Sequence, residues 1–181
     1  MRVPPDVIYA CAPCSLQAGP FGRAPIRGVP IVFSYSDPVG SRIVESLARP
    51  GGNMTGFAYL GQELDAKRLQ LLKEAIPALA RVGVLVSKFH PQRTHMVANL
   101  QVAASKLKIK LQLFDIANDR ALEQIDAAFE AMVRDGTQAV LGLTGAQFRR
   151  EAKHVAGLAR KYRLPGMFST GTNVDEGALM T

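Results

Sequence analysis

The sequence has little of what would place it in several broad classes of protein. Its 181 residues include two cysteines and no tryptophan, and two cysteines are too few to build a disulfide-stabilised scaffold. No apolar run approaches the roughly 18 residues that a membrane-spanning helix needs. The 16 glycines and 11 prolines show no regular period, which excludes a collagen-like chain. The hydrophobic fraction of 48% is too high for a disordered chain and is typical of a folded globular protein.

Signature motifs of common enzymes and nucleotide-binding proteins are also missing. The sequence contains neither H-E-x-x-H nor G-x-S-x-G, and its three histidines form no catalytic arrangement. The phosphate-binding patterns G-x-x-x-x-G-K-[ST] and G-x-G-x-x-G do not occur. We therefore expect no catalytic residues, no bound metal and no cofactor, and we predict that the protein is not an enzyme.

The beginning of the chain lacks the pattern of a signal peptide. Residues 1–6 contain two prolines and lead directly into the short apolar stretch 7–10. A signal peptide needs a basic segment followed by a longer apolar one. Taken alone, this start predicts a cytoplasmic protein.

Positive charge is concentrated in one segment of the chain. The net charge is +7, and residues 147–163 carry six basic residues against one acid, Glu151. The basic residues are Arg149, Arg150, Lys153, Arg160, Lys161 and Arg163. With Phe148, Ala152, Val155, Ala159 and Tyr162 on the other face, the pattern predicts an amphipathic helix with a solvated basic side. We expect no nucleic-acid partner, because exposed aromatic residues are not interleaved with the basic residues of this segment. A basic nucleic-acid-binding domain is the alternative function.

Short apolar segments alternate with amphipathic ones along the chain. The short segments predict six strands of the kind found in buried parallel sheets: 6–10, 29–34, 81–87, 108–116, 138–143 and 164–169. The amphipathic segments predict helices at 39–48, 63–76, 92–107, 119–134 and 147–163. The helix at 63–76 is expected to bury Leu64, Leu71, Leu72 and Ala75, and Asn118 or Asp119 is the expected N-cap at 119–134. The alternation predicts an α/β protein with parallel sheets and helices on both faces.

The two cysteines form a C-x-x-C motif, Cys11-Ala12-Pro13-Cys14, directly after the first predicted strand. Such a dithiol could act in thiol–disulfide exchange. The glycines and proline at 19–22 disfavour the helix that normally follows a redox motif of this kind. We interpret the thiols as incidental loop residues and keep a thiol–disulfide oxidoreductase as an alternative function.

Polar side chains follow several predicted strands where each strand ends. In open α/β sheets, ligands bind at the carboxyl ends of the strands. Hydroxyls, a tyrosine and one carboxylate at these ends suit a small polar solute, although capping of the following helices would use the same residue types. The expected ligand-binding residues are Ser34, Tyr35, Ser36, Asp37, Ser87, Thr144, Gly145 and Ser169.

Two sequence blocks resemble a known family. D-P-V-G at 37–40 and L-A-R-P-G-G-N-M-T-G at 47–56, with further matches at 63–77, 81–85, 163–165 and 177–180, are similar to bacterial ABC-transporter substrate-binding proteins. The similar group includes binders of tryptophan and other aromatic amino acids. The order and spacing of the matches hold across nearly the whole chain.

The resemblance implies a fold of the periplasmic-binding-protein type I, with two lobes that each contain a parallel sheet. It implies that residues 1–54 form part of the first lobe, 55–168 a nearly complete second lobe, and 169–181 a segment that returns to the first lobe. A strand at 55–60 would belong to the hinge. Because the family has more residues at both ends, we expect a chain truncated at both ends.

The resemblance also implies a function. The family captures a small polar solute, with amino acids as one class, in a cleft between the lobes and delivers it to an ABC permease without chemical change. It implies a periplasmic or membrane-associated extracytoplasmic location, in contrast to the cytoplasmic location predicted from the start of the chain. A partial first lobe would leave sheet edges exposed, and we expect these to favour self-association.

Overall fold

The structure is a computed structural model that describes residues 5–10, 29–35, 37–40, 42–58, 63–90, 92–117, 119–169, 171–177 and 180. The chain divides into two compact units, Met1–Leu60 and Gly61–Thr181. Each unit contains its own parallel sheet, so we describe the units separately.

The first unit contains a three-stranded parallel sheet. Its strands are β1 (Ile8–Ala10), β2 (Ile31–Tyr35) and β3 (Met54–Ala58), and β2 lies in the middle. Alternate residues of β2 are buried, as expected for a strand with one covered face. The small core comprises Ala10, Ile31, Phe33, Tyr35 and Val44.

The helix predicted at 39–48 is wrong, because turns and bends occupy the described residues of this segment. Asp37 Oδ1 accepts a hydrogen bond from Gly40 N at 2.8 Å, and Pro38 O accepts from both Ile43 N and Val44 N. Arg42 has a φ of 55°, a left-handed conformation that interrupts a right-handed helix. Local turn bonds therefore outweigh the helical periodicity.

The second unit alternates strands and helices. Its strands are β4 (Arg81–Ser87), β5 (Lys110–Ile116), β6 (Ala139–Gly142) and β7 (Gly166–Phe168). Its helices are α1 (Glu63–Ala75), α2 (Arg93–Leu107), α3 (Ala121–Arg134), α4 (Ala146–Arg150), α5 (Ala152–Lys161) and α6 (Thr172–Asp175). The strands pair in parallel in the order β5-β4-β6-β7.

Two apolar clusters cover the opposite faces of this second sheet. Val82, Val84 and Val86 of β4 pack in a cluster with buried residues of α1 and α2. Leu85 of the same strand packs in the other cluster, with Phe129 of α3 and neighbouring apolar residues of α4 and α5. Because successive strand residues point to opposite faces, this division confirms the predicted α/β arrangement with helices on both faces.

Several boundaries differ from the sequence-based ones. Lys108 adopts a left-handed conformation that caps α2, so β5 begins at Lys110 instead of 108. The predicted helix at 147–163 is divided at Glu151, whose ψ of 22° opens the helical turn. Helix α3 has Arg120 at its N-cap instead of Asp119; Asn118 lies outside the described residues.

The stripe predicted for the first helix of the second unit is partly wrong. Leu72 is buried, but Leu64 and Leu71 are exposed. The buried stripe of α1 is instead formed by Asp65, Leu69 and Leu72. The charged Asp65 takes a core-facing position, which a count of apolar residues does not reveal.

The compact units divide six residues later than the boundary predicted after residue 54. Strand β3 pairs with β2 along its whole length, so residues 54–58 belong with the first sheet. Near the other end, Met180 forms a bridge with Met167 of β7. The assignment of 1–54, 55–168 and 169–181 to lobes of a two-lobed protein stays a prediction. In the part of the chain that the structure describes, no helix combines the length and apolar character needed to cross a membrane.

Candidate functional site

The order of the second sheet creates a switch point at its carboxyl edge. From β4 the chain crosses to β5 on one side and then to β6 on the other. At such a point the connections diverge and leave a crevice, which is where ligands bind in open α/β sheets. Leu85 of β4 pairs with Gly142 of β6. Ser87, which ends β4, and Thr144, which follows β6, each lie two residues further along the chain. The sheet register therefore brings these two predicted residues to the same edge.

Ser87 is almost completely buried, with 7% of its surface exposed. Its carbonyl oxygen accepts a hydrogen bond from His90 N at 3.2 Å, so the chain turns sharply after β4. His90 Nδ1 accepts from Gln92 N at 3.2 Å, and burial lowers the pKa of the imidazole. The neutral imidazole therefore serves as an acceptor in this turn.

Thr144 and Gly145 form the connection between β6 and α4. Both are half-buried, and Gly145 O accepts from Phe148 N at 3.2 Å. A side chain at Gly145 would press against Phe148 and Gln147, with a Cβ 3.0 Å from an atom of each. The glycine thus lets the backbone lie close to this edge, where its polar groups can reach a ligand.

Gln147 is a polar residue of this edge that was absent from the predicted site. It is buried, and its Nε2 donates to Ile116 O at 3.2 Å at the end of β5. The side chain thereby links the start of α4 to the end of β5. The sequence signal that could have indicated this role is a glutamine next to the apolar Phe148 at the start of the amphipathic segment.

Ser169 directly follows β7 and is half-buried. The structure therefore brings four predicted residues to the carboxyl edge of the second sheet: Ser87, Thr144, Gly145 and Ser169. These four residues are uncharged and offer hydroxyl groups and backbone polar groups. Such groups suit hydrogen bonding to a polar solute, and their use as ligand contacts stays a prediction.

The other predicted residues lie in the first unit. Ser34 is half-buried on β2, and Tyr35 points the other way into the small core, where 1% of its surface is exposed. Asp37 holds the turn through Gly40 N. Ser36 lies outside the described residues. The role of these four residues in solute binding is likewise an untested prediction.

Three other features of the sequence concern the cysteines, metal binding and the basic segment. Cys11 and Cys14 lie outside the described residues. Among the described residues, no group of three or more His, Cys, Asp or Glu is placed to hold a metal ion. The six basic side chains of 147–163 are all exposed, while Phe148, Val155 and Ala159 on the opposite face are buried. The amphipathic pattern of this segment is thus confirmed.

Residues 4–181 match the protein family described as ABC transporter substrate binding protein. A tyrosine-binding protein of Clostridioides difficile (strain R20291) is 32% identical over 103 residues, which make up 56% of this chain and 28% of that protein. The chain thus spans about a quarter of that curated relative.

Two solved structures share the fold. A conserved domain protein of Vibrio cholerae O1 biovar El Tor superposes with a TM-score of 0.79 at 24% identity, over 97% of this chain and 56% of that one. An ABC domain in complex with L-Trp from Streptococcus pneumoniae gives a TM-score of 0.77 at 20% identity, over 96% of this chain and 57% of that one. At these identities the likeness shows the fold, and this chain spans just over half of each structure.

Proposed function

Because the chain belongs to the family of ABC transporter substrate-binding proteins, we propose that it takes part in capturing a small polar solute for an ABC importer. The solute is held by hydrogen bonds and released unchanged, so the role requires no catalysis. The chain covers 56% of one solved relative and 57% of another. That this chain has the activity of a whole binding protein is therefore part of the proposal.

One observation carries the proposal: polar residues meet at the switch point of the second sheet, where open α/β sheets bind ligands. Ser87 and the Thr144–Gly145 connection lie at the diverging carboxyl ends of β4 and β6. Strands with buried apolar residues on both faces hold these ends in place. A rigid edge that presents a few polar groups is suited to small-molecule binding.

Amino acids are the solute class that we propose. Hydroxyl groups can donate to a carboxylate and accept from an ammonium group, so Ser87 and Thr144 can contact either end of an amino acid. Support for the class comes from the relatives: one is named a tyrosine-binding protein, and another contains L-Trp.

We further propose that the solute is held in a cleft between two lobes, as membership of the family implies. Residues Ser34–Asp37 would then contribute solute contacts from the first unit, as the sequence predicts. An ABC permease is the proposed partner, and the proposed location is periplasmic or extracytoplasmic. These three points rest on family membership and on the polar residues at the carboxyl ends of both sheets.

Binding of L-tryptophan to the 181-residue chain tests the proposal directly. The chain contains no tryptophan, so the indole fluorescence of the added amino acid reports its environment without background from protein indoles. We expect saturable binding of L-tryptophan or L-tyrosine in fluorescence and calorimetric titrations, and mass spectrometry should recover the amino acid unchanged.

Substitutions at the crevice locate the binding site. Removing one neutral hydrogen bond costs about 0.5–1.5 kcal/mol, so Ser87→Ala and Thr144→Val should each weaken binding several-fold. Ser105→Ala, at an exposed position of α2, is the matched control and should bind like the original chain. Titrations that show no amino acid binding, or binding that both crevice variants leave intact, would contradict the proposal.

A further inference from the structure

A second group of residues surrounds a cleft at the same edge of the second sheet. The cleft has a volume of about 440 Å³ and is lined by Lys88 and Phe89 after β4, Ala117 and Asp119 after β5, and Arg120 and Gln124 at the start of α3. The lining residues that the structure describes all belong to the second unit. None of them is among the residues predicted to bind the solute.

The backbone around the cleft is fixed by two hydrogen bonds. Lys88 N donates to Ile116 O at 2.9 Å, which joins the end of β4 to the end of β5. Ala117 N donates to Gln124 Oε1 at 2.7 Å, which joins the end of β5 to α3. The cleft is therefore built from three elements in a set arrangement, with the side chains of Lys88, Phe89 and Arg120 at its surface.

The charges in the cleft are unbalanced and open to a ligand. Among the described residues, neither Lys88 nor Arg120 takes part in an ion pair. By contrast, the nearby Arg93 is held by both carboxylate oxygens of Asp115, at 2.6 and 2.7 Å. Asp119 is the single carboxylate among the described lining residues, so the lining carries two positive charges and one negative charge.

An exposed aromatic ring lies beside these charges. Phe89 has 68% of its surface exposed, and Lys88 Nζ lies 5.6 Å from the centre of its ring. The ammonium group thus lies over the ring, and a ligand beside this pair could contact both. A planar apolar group can stack on the ring while an attached anionic group reaches the cations.

From this arrangement we propose that the cleft of Lys88, Phe89 and Arg120 selects solutes that combine a carboxylate with an aromatic or other apolar group, and that it favours a net negative charge. The inference rests on the proposed solute-binding function and sharpens it. The carboxylate, rather than the amino group, becomes the feature that the second unit recognises. The cleft volume of about 440 Å³ is within the range of small-molecule sites.

Three probes that share a phenyl ring separate the contributions of charge. They are 3-phenylpropanoate, which has the carboxylate alone; L-phenylalanine, which has both charged groups; and 2-phenylethylamine, which has the ammonium group alone. In calorimetric titrations we expect 3-phenylpropanoate to bind at least as tightly as L-phenylalanine, and 2-phenylethylamine not to bind. Equal or tighter binding of 2-phenylethylamine, or no binding of any probe, would overturn the inference.

Substitutions then assign the binding to this cleft. Lys88→Gln and Arg120→Gln each remove one charged donor at an exposed position and should weaken 3-phenylpropanoate binding about tenfold. Phe89→Ala should weaken it several-fold through loss of ring contact. Lys153→Gln, at an exposed position of α5, changes the net charge equally and should leave binding intact.

The pattern of failure distinguishes the two proposals. If Ser87→Ala weakens amino acid binding but Lys88→Gln and Arg120→Gln do not weaken binding of any phenyl probe, the solute-binding function stands and the specificity assigned to the cleft is wrong. If Lys153→Gln weakens 3-phenylpropanoate binding as much as Lys88→Gln does, only overall charge matters, and the inference is again overturned.

Discussion

Asp65 and Arg68, one turn apart on α1, form an ion pair on the buried side of the helix. Arg68 donates to Asp65 Oδ1 at 2.9 Å, and 2% of the Asp65 side chain is exposed. Within the described part of the chain, Asp65 Oδ2 is buried without a hydrogen-bond partner. Burial outweighs the attraction of Arg68 and raises the pKa of the carboxyl group to about 6.

This pKa predicts a loss of stability as the pH rises from about 4 to about 6. The carboxyl group titrates near 3.8 when unfolded and near 6 when folded, so the folded state holds the proton more tightly. The stabilisation is complete below the unfolded pKa and is lost as the pH rises through the folded pKa. A difference of this size corresponds to about 3 kcal/mol, measurable by urea denaturation across the pH range.

Asp65→Asn isolates the contribution of this carboxyl group. The variant cannot ionise at residue 65, so the fall in its free energy of unfolding between pH 4 and pH 6 should be smaller by about 2 kcal/mol, because part of the full difference lies outside this pH range. Glu130→Gln, an exposed carboxylate position on α3, is the control and should keep the original slope. An identical pH dependence in Asp65→Asn and the original chain would show that Asp65 is not the group responsible.

Most of the second unit could be predicted from sequence because its longer elements have strong local patterns. The bounds of β4 match the predicted 81–87, since an apolar run between charged residues has one natural beginning and end. Asp65 shows where the pattern fails. An acid on the buried stripe of α1 depends on Arg68 and on tertiary packing, and neither enters a count of apolar residues.

The first unit was harder to predict because turns, rather than periodicity, determine its chain path. In the D-P-V-G block, Asp37 and Gly40 form a turn, and in the following block Gly51 and Gly52 both adopt positive φ. Asn53 Nδ2 donates to Val29 O at 2.6 Å and so links this turn to the start of β2. The blocks that carry the family resemblance therefore determine the turns of this unit. The spacing of apolar residues does not predict these turns.

The candidate site was predictable as an edge but not as a set of contacts. Polar residues after β4 and β6 pointed to the carboxyl edge, and the sheet order brings Ser87 and Thr144 to it. Lys88 and Arg120 were not among the predicted ligand contacts, because each is an ordinary exposed cation in the sequence. Only the strand order, which is non-local, places Arg120 of the β5–α3 connection beside the end of β4.

The turn at 37–40 is expected to stabilise the first unit. Asp37→Ala removes the acceptor of Gly40 N and should cost about 1 kcal/mol, visible as faster exchange of the β2 amides. Gly40→Ala should have a similar or larger effect, because a Cβ there would overlap the Asp37 carboxylate. Val39→Ala, which changes an exposed neighbour, should have little effect. If Asp37→Ala leaves amide exchange unchanged but abolishes solute binding, Asp37 acts as a solute contact instead.

Glycines on two neighbouring strands make room for the ring of Phe168. A Cβ at Gly142 or at Gly166 would overlap this buried ring. Gly142→Ala should therefore destabilise the second unit by about 1–3 kcal/mol through overpacking. Gly157→Ala is the matched control: it lies within α5 with no atom near its added Cβ, and it should stabilise by up to about 1 kcal/mol. Thermal denaturation that shows equal shifts for both variants would contradict this account.

One face of the first sheet presents aromatic residues to solvent. Tyr9 and Phe57 lie on the same face, with 64% and 73% of their surfaces exposed. Within the described residues, β3 is an edge strand of the sheet, so its outer backbone groups and the Phe57 ring are both open to a second copy of the chain. These features support the predicted self-association.

Phe57→Ser should reduce this self-association. Burial of one phenylalanine side chain contributes roughly 1.5–3 kcal/mol, so its loss should raise the dissociation constant of a dimer about tenfold or more. Size-exclusion chromatography with light scattering over a range of protein concentrations measures the effect. Phe89→Ser, which replaces a similarly exposed ring in the second unit, is the matched control and should leave the oligomeric state unchanged. A chain that stays monomeric at every concentration, or one whose assembly responds to Phe89→Ser but not to Phe57→Ser, would rule out the β3 edge of the first sheet as the contact, because Phe57 is the exposed ring on that strand.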